Sequence, residues 1–219
     1  MQNLKVAITG HTKGIGQGFA NYFKDQDVHG FSRSNGWDLT RKETCDALIH
    51  NLNDFDLFIN NACIGDKQLY LFDNIFKLWF NKNKTIINVG CIDGSMTEKD
   101  LEGLESFLFK KLNTNKHSVF KNVDTYKIYN KNKRDLNQVA NSANLKSNLK
   151  YKGYPYVLNL NAGAVDTHSS YHGTSSLMKH YLTVEEFIKV FDNIWQMKDY
   201  CRVTNITFLG NNDVRKLYE

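Results

Sequence analysis

Proline is nearly absent from this sequence: Pro155 is the only one in 219 residues. Cysteine is sparse too, and Cys45, Cys63, Cys91 and Cys201 stand far apart with no C-x-x-C pair. That excludes a zinc ribbon and a disulfide framework, and a reducing cytoplasm is the expected compartment. No apolar run approaches the ~18 residues of a membrane span. Met1 leads straight into an apolar stretch, with no basic segment and cleavage site before it, so a soluble, unprocessed chain is expected. Long runs of one charge are also missing. Lys and Arg number 28 against 23 Asp and Glu, a balance of +5, and the longest basic cluster, residues 131–134, is broken by Asn132. Without a basic stripe interleaved with aromatics, a nucleic-acid partner is not expected. The mild positive excess suits a small anionic ligand instead. No repeat or low-complexity linker is visible, and this length is that of one globular domain spanning 1–219.

What is present alternates. Short apolar runs at residues 4–9, 28–32, 56–60, 85–90, 156–161 and 205–209 read as strands, with amphipathic stretches between them. This is the pattern of βαβ units and predicts an α/β fold with a doubly wound parallel sheet and helices on both faces. Ile15, Phe19, Tyr22 and Phe23 fall on one helical face, as do Phe187, Val190, Phe191, Ile194 and Trp195. Leu69, Phe72, Phe76, Trp79 and Phe80 form another apolar stripe, expected in the core or on an oligomer surface. Thr40 with Glu43, and Thr183 with Glu186, have capping-box spacing and mark helix starts.

The first strand runs into Thr9-Gly10-His11-Thr12-Lys13-Gly14-Ile15-Gly16, and a helix follows at once. A pyrophosphate needs a backbone it can approach closely and free N–H groups at a helix N-terminus, which this arrangement supplies. Here the sequence resembles the short-chain dehydrogenase/reductase family, whose form is T-G-x-x-x-G-I-G, and four further motifs follow in family order. Asp38-Leu39-Thr40 resembles the acidic segment after the family's third strand. Asn60-Asn61-Ala62-Cys63 resembles N-N-A-G, with Cys63 for Gly. Tyr129 and Lys133 form a Y-x-x-x-K pair. Asn161-Ala162-Gly163-Ala164-Val165-Asp166-Thr167 resembles P-G-x-V-x-T, with Ala162 for Pro. The chain thus looks like a divergent member with a Rossmann-type fold. The resemblance assigns nicotinamide dinucleotide binding to Gly10, Thr12, Lys13, Gly14, Ile15, Gly16, Asp38, Leu39, Asn61, Ala62, Cys63, Tyr129, Lys133, Gly163, Val165 and Thr167.

Tyr129 and Lys133 are four residues apart and share one helix face. A phenol ionises near pH 10, and a neighbouring ammonium stabilises the phenolate and lowers that value. Tyr129 is then the expected proton donor to a carbonyl oxygen, or the base in reverse, with Lys133 its activator. Tyr126 lacks a lysine four residues on. After the second strand, Arg33 and Ser34, with Lys13 in the glycine turn, suit the 2′-phosphate of NADP over the free hydroxyl of NAD.

The sequence also departs from the family. Cys91 aligns with the Ser that holds the substrate carbonyl, and a thiol is a weak donor. Ser95 is the candidate substitute. Cys91 to Tyr129 spans 38 positions and Asn61 to Cys91 only 30, which implies an insertion at about 93–125 and a shortened helix before the fifth strand. Asn74 on that helix is the best match to the family's catalytic Asn. The polar segment at about 167–182 aligns with the substrate lid and hinges at Gly173. Its His168, His172 and His180 lack an acidic or Cys partner at ligand spacing, so no metal is expected. The expected function is NADP(H)-dependent oxidation or reduction of a small carbonyl or alcohol, by a homodimer or homotetramer that binds no membrane. Two alternatives remain: a catalytically weak dinucleotide-binding sensor or regulator, and an epimerase or dehydratase using the same Tyr and Lys.

Overall fold

The computed structural model describes residues 3–92, 123–150, 155–163, 165–167 and 182–209. Ser95, most of the expected insertion, and the lid residues 168–181 with their three histidines lie outside the described residues. The elements are β1 (Lys5–Thr9), α1 (Gly14–Tyr22), β2 (Asp27–Phe31), α2 (Lys42–Asn51), β3 (Leu57–Asn60), α3 (Lys67–Leu78), β4 (Thr85–Cys91), α4 (Val123–Lys150), β5 (Tyr156–Ala162), β6 (Val165–Asp166), β7 (Leu182–Thr183), α5 (Val184–Gln196) and β8 (Asn205–Phe208). All six expected strands are present. They form one parallel sheet in the order β2-β1-β3-β4-β5-β8, and β6 and β7 make a separate parallel pair.

Both faces of the sheet are covered, which is why its strands are nearly continuously apolar. In register, Ala7, Phe58, Ile86 and Val157 face the core shared with α2, α3 and α4. The next row, Ile8, Ile59, Ile87 and Leu158, faces the core shared with α1 and α5. On that second face Phe19 meets Phe191 edge-on at 4.9 Å and Phe23 meets Trp195 at 5.7 Å. Tyr22 Oη donates to Asp192 at 2.6 Å, joining α1 to α5. The buried phenol and the carboxylate it serves together push the Tyr22 hydroxyl well above the usual range.

The expected Thr183–Glu186 capping box starts α5, with Glu186 N donating to Thr183 Oγ1 at 3.1 Å and Thr183 N to Glu186 Oε2 at 2.8 Å. The Thr40–Glu43 box does not form. Arg41 occupies the cap of α2, and Thr40 Oγ1 donates to Asp38 Oδ1 at 2.8 Å instead. The apolar stripe of α3 is also displaced from its expected phase: Gln68, Leu71, Phe72, Ile75 and Trp79 are buried, whereas Phe80 is 46% exposed. The helix ends at Leu78, and Trp79 anchors that end by donating its indole N–H to Leu52 O at 3.0 Å. Finally, among the described residues no strand lies beyond β2 in the sheet. Asp38-Leu39-Thr40 follows a short 3₁₀ turn at Arg33–Asn35, so the edge strand its resemblance implied is missing here.

Candidate functional site

The site gathers at the carboxyl ends of the central strands, where an open α/β sheet leaves a crevice between diverging helices. The glycine turn between β1 and α1 is built by close contacts. Gly10 and Gly14 adopt left-handed backbone conformations with φ of 68° and 59°. A Cβ on Gly16 would lie 2.2 Å from Gly10 O and 2.7 Å from Asn61 Nδ2. Gly10 N donates to Phe31 O at 2.8 Å, tying the turn to the end of β2. The Asn61-Ala62 segment interlocks with it: Asn61 N and Ala62 N donate to Thr9 Oγ1 at 2.9 and 3.0 Å, and Asn61 Nδ2 donates to Thr9 O at 2.9 Å. Thr167 approaches from the segment after β5, its Cβ 2.9 Å from where a Gly14 Cβ would stand. Gly163 N is held by Phe208 O at 2.9 Å, and Val165 lies in β6. Thr12 and Lys13 are exposed at the rim, and Ile15 packs against the α1/α5 core.

Beyond β2, Ser32, Arg33 and Ser34 form a small polar turn. Ser32 N donates to Asn35 Oδ1 at 2.9 Å, the Ser32 and Ser34 hydroxyls lie 2.8 Å apart, and Asn35 Nδ2 donates to Gly30 O at 2.7 Å. Arg33 projects from this turn into solvent. Asp38 accepts from Thr40 Oγ1 and Thr40 N, which holds its carboxyl below the usual range, with smaller help from the charges of Arg33 and Arg41. Leu39 is 2% exposed and its side chain belongs to the core. His11, which sequence reasoning passed over, packs its ring onto Gly30, where a Cβ would meet ring atoms at about 2 Å. Its partial burial lowers its basicity, and its Nδ1 is buried with no partner among the described residues.

Lys133 is 4% exposed, and its Nζ lies 5.8 Å from the centroid of the half-buried Tyr129 ring. The two therefore share a helix face, as their spacing implied. The ammonium donates to Gln68 Oε1 at 2.7 Å and to Val89 O at 3.0 Å. Asn74 does not reach this pair: its amide donates to Tyr70 O at 2.8 Å, one turn back on its own helix. Cys91 ends β4, half-buried and paired in register with Ala162, and Cys63 is exposed after β3.

Beneath α4 the sheet turns polar. Asn60, Asn88, Asn159 and Asn205 are direct neighbours across four strands. Asn60 Nδ2 donates to Asn88 Oδ1 and Asn88 Nδ2 to Asn159 Oδ1, each at 3.0 Å. Asn141 and Asn137 on α4 accept from Asn159 and Asn161 at 3.3 and 3.4 Å. The signal was an asparagine in each of four strands, but only strand register reveals that the four align. Among the described residues, no group of three His, Cys, Asp or Glu is arranged to hold a metal, and no helix is long and apolar enough to cross a membrane.

No protein-family model matches the chain, and no curated protein sequence matches it. Solved structures do. A 3-alpha-hydroxysteroid dehydrogenase from Pseudomonas sp. B-0831, complexed with NADH, superposes with a TM-score of 0.67 at 13% identity, over 98% of each chain. An alcohol dehydrogenase from the archaeon Thermococcus sibiricus, complexed with 5-hydroxy-NADP, gives 0.63 at 12% identity, covering 96% of this chain and 97% of that one. A short-chain dehydrogenase from Sphingobium yanoikuyae in complex with NADPH gives 0.61 at 16% identity, covering 97% and 90%. The chain has the fold of the short-chain dehydrogenases/reductases.

Proposed function

We propose that this protein is a short-chain oxidoreductase that uses NADP(H) to interconvert a small carbonyl compound and its alcohol. The observation that carries the reading is the buried Lys133 ammonium beside Tyr129, at the end of the same sheet that holds the glycine turn. The turn fits a dinucleotide: its glycines leave no room for side chains where a pyrophosphate would approach, and α1 presents its N-terminus there. Lys13, Arg33 and the Ser32–Ser34 turn suit a 2′-phosphate by charge and by hydrogen-bonding capacity. Bound NADP(H) would supply or accept the hydride. Tyr129 would give its proton to the carbonyl oxygen, and Lys133 would ease that transfer by stabilising the phenolate. Asn61 and Thr167, packed against the glycine turn, and Val165 would help to hold the dinucleotide.

Tryptophan-fluorescence titration with NADPH and NADH tests the cofactor assignment. NADPH is expected to bind more tightly, and Arg33→Glu is expected to weaken NADPH roughly 10- to 100-fold while sparing NADH, the worth of one or two charge-assisted hydrogen bonds. Equal affinity for both cofactors overturns the preference. Turnover on a panel of ketones and aldehydes, lost in Tyr129→Phe and kept in Tyr126→Phe, tests the acid–base assignment. A second reading, a dinucleotide-binding sensor with weak catalysis, draws on Cys91, whose thiol is a poor donor where the family has Ser. Tight NADPH binding with no turnover across the panel would favour it.

A further inference from the structure

Gln68 lies in the first turn of α3, on the inward stripe that otherwise carries Leu71, Phe72, Ile75 and Trp79. At 2% exposure a carboxamide there is costly unless its polar atoms are satisfied. All are. Nε2 donates to Asn60 O at 2.7 Å and Val89 O at 3.0 Å, and Oε1 accepts from Lys133 Nζ at 2.7 Å. The backbone is tied down as well, since Gln68 O accepts from Asn60 Nδ2 at 2.8 Å. Two strand carbonyls fix the amide nitrogen, so the oxygen can only face the lysine. A flipped carboxamide would set NH₂ against an ammonium and against no acceptor.

We propose that Gln68 is the positioning residue for Lys133, holding the ammonium against the ends of β3 and β4 and, through it, governing how readily Tyr129 exchanges its proton. The proposal rests on the Tyr129/Lys133 reading above and adds to it a third residue from another helix. An ammonium has three N–H groups. Gln68 Oε1 and Val89 O take two of them, which leaves one for Tyr129 or for a ribose hydroxyl. The lysine is thereby oriented before any cofactor arrives. Charged or titratable groups on the elements around the pair include Asp66 and Lys67, bonded to each other at 3.0 Å at the start of α3, Tyr70, Asp73 and Lys77 further along α3, Cys91 at the end of β4, and Lys127, Lys131, Arg134 and Asp135 on α4; Lys77 pairs with Asp73, and Lys131 with Asp135. The contacts that orient Lys133 come from Gln68 Oε1 and Val89 O.

The test is a double-mutant cycle read by tyrosinate absorbance on the cofactor-free protein. The Tyr129 transition is isolated by subtracting the same variant carrying Tyr129→Phe. Lys133→Met should raise the Tyr129 midpoint, and Gln68→Met should raise it by about one pH unit, because the phenolate loses a well-placed cation. Gln68→Met should add nothing in the Lys133→Met background. If Lys133→Met leaves the midpoint unmoved, the acid–base reading fails and takes this proposal with it. If Lys133→Met moves the midpoint and Gln68→Met does not, the pair stands and the role of Gln68 is refuted. An undiminished Gln68→Met shift without Lys133 also refutes it, since Gln68 would then act only through the fold. Should Gln68→Met not fold, NMR on the wild-type protein decides: a cross-peak between the Gln68 side-chain amide and the Lys133 ε-methylene supports the contact, and its absence overturns it.

Discussion

Asn88 is the central link of the asparagine row and gives the sharpest test of it. The side chain is 1% exposed; it accepts from Asn60 Nδ2 and donates to Asn159 Oδ1, each at 3.0 Å. Asn88→Ala removes both bonds, with unequal consequences. Asn60 Nδ2 keeps Gln68 O at 2.8 Å, so that side of the loss is about 1 kcal/mol. Asn159 is 2% exposed and its Oδ1 loses its donor, which costs about 1–3 kcal/mol. The void adds on the order of 1 kcal/mol, for a total destabilisation of about 3–5 kcal/mol. In Asn88→Ala/Asn159→Ala no half of the bond is left stranded, so the double variant should cost about 1–2 kcal/mol less than the sum of the singles. Urea denaturation followed by far-UV circular dichroism and tryptophan fluorescence measures all four corners of the cycle. Additivity within about 0.5 kcal/mol would refute the claim that these carboxamides act as one bonded row.

Three further outcomes follow from the same contacts. Gly16→Ala places a Cβ 2.2 Å from a backbone carbonyl, so the turn must open; a loss of about 1–3 kcal/mol and of NADPH binding is expected, and unchanged affinity in fluorescence titration would remove the turn from the cofactor site. Burial pushes the Tyr156 hydroxyl up to about 12, and that hydroxyl donates to Val203 O at 2.6 Å. Unfolded chains lose this proton from about pH 10 while folded ones keep it, so stability is full below pH 10 and falls as pH rises toward 12; Tyr156→Phe should flatten that slope in denaturation curves measured across the interval. Asn130 is 2% exposed and neither of its side-chain polar atoms has a partner among the described residues, so Asn130→Leu should raise stability by about 1 kcal/mol, and a marked loss would refute that reading.

Much of this protein was legible before any coordinates. Strand positions follow from apolar runs between turn signals. The glycine turn follows from glycines spaced between a strand and a helix, and Tyr129 and Lys133 from their resemblance to a Y-x-x-x-K motif, whose spacing puts both on one helix face. Each is a property of residues a few positions apart. The structure brings Asn61 and Thr167, from two separate motifs, against the glycine turn. Local pattern failed where two local choices competed. Thr40 had the spacing to cap α2 but bonds Asp38 two residues back, and α3 turned by a fraction of a turn so that Gln68 and Trp79 face inward while Phe80 does not. The missing edge strand left Asp38 in a turn rather than at a strand end.

The sequence by itself determined the class of sheet, the glycine turn after the first strand and the helix that carries Tyr129 and Lys133, because hydrophobic period and glycine spacing act over short stretches of chain. The tertiary structure decided which group holds Lys133, how four asparagines from separate strands join in one row, and that His11 rests on Gly30. Gln68 and Lys133 are 65 positions apart, and Asn88 and Asn159 are 71 apart. Such partners meet only when parallel crossovers bring their strands and helices into register, and a buried polar group then takes whichever acceptor that register supplies.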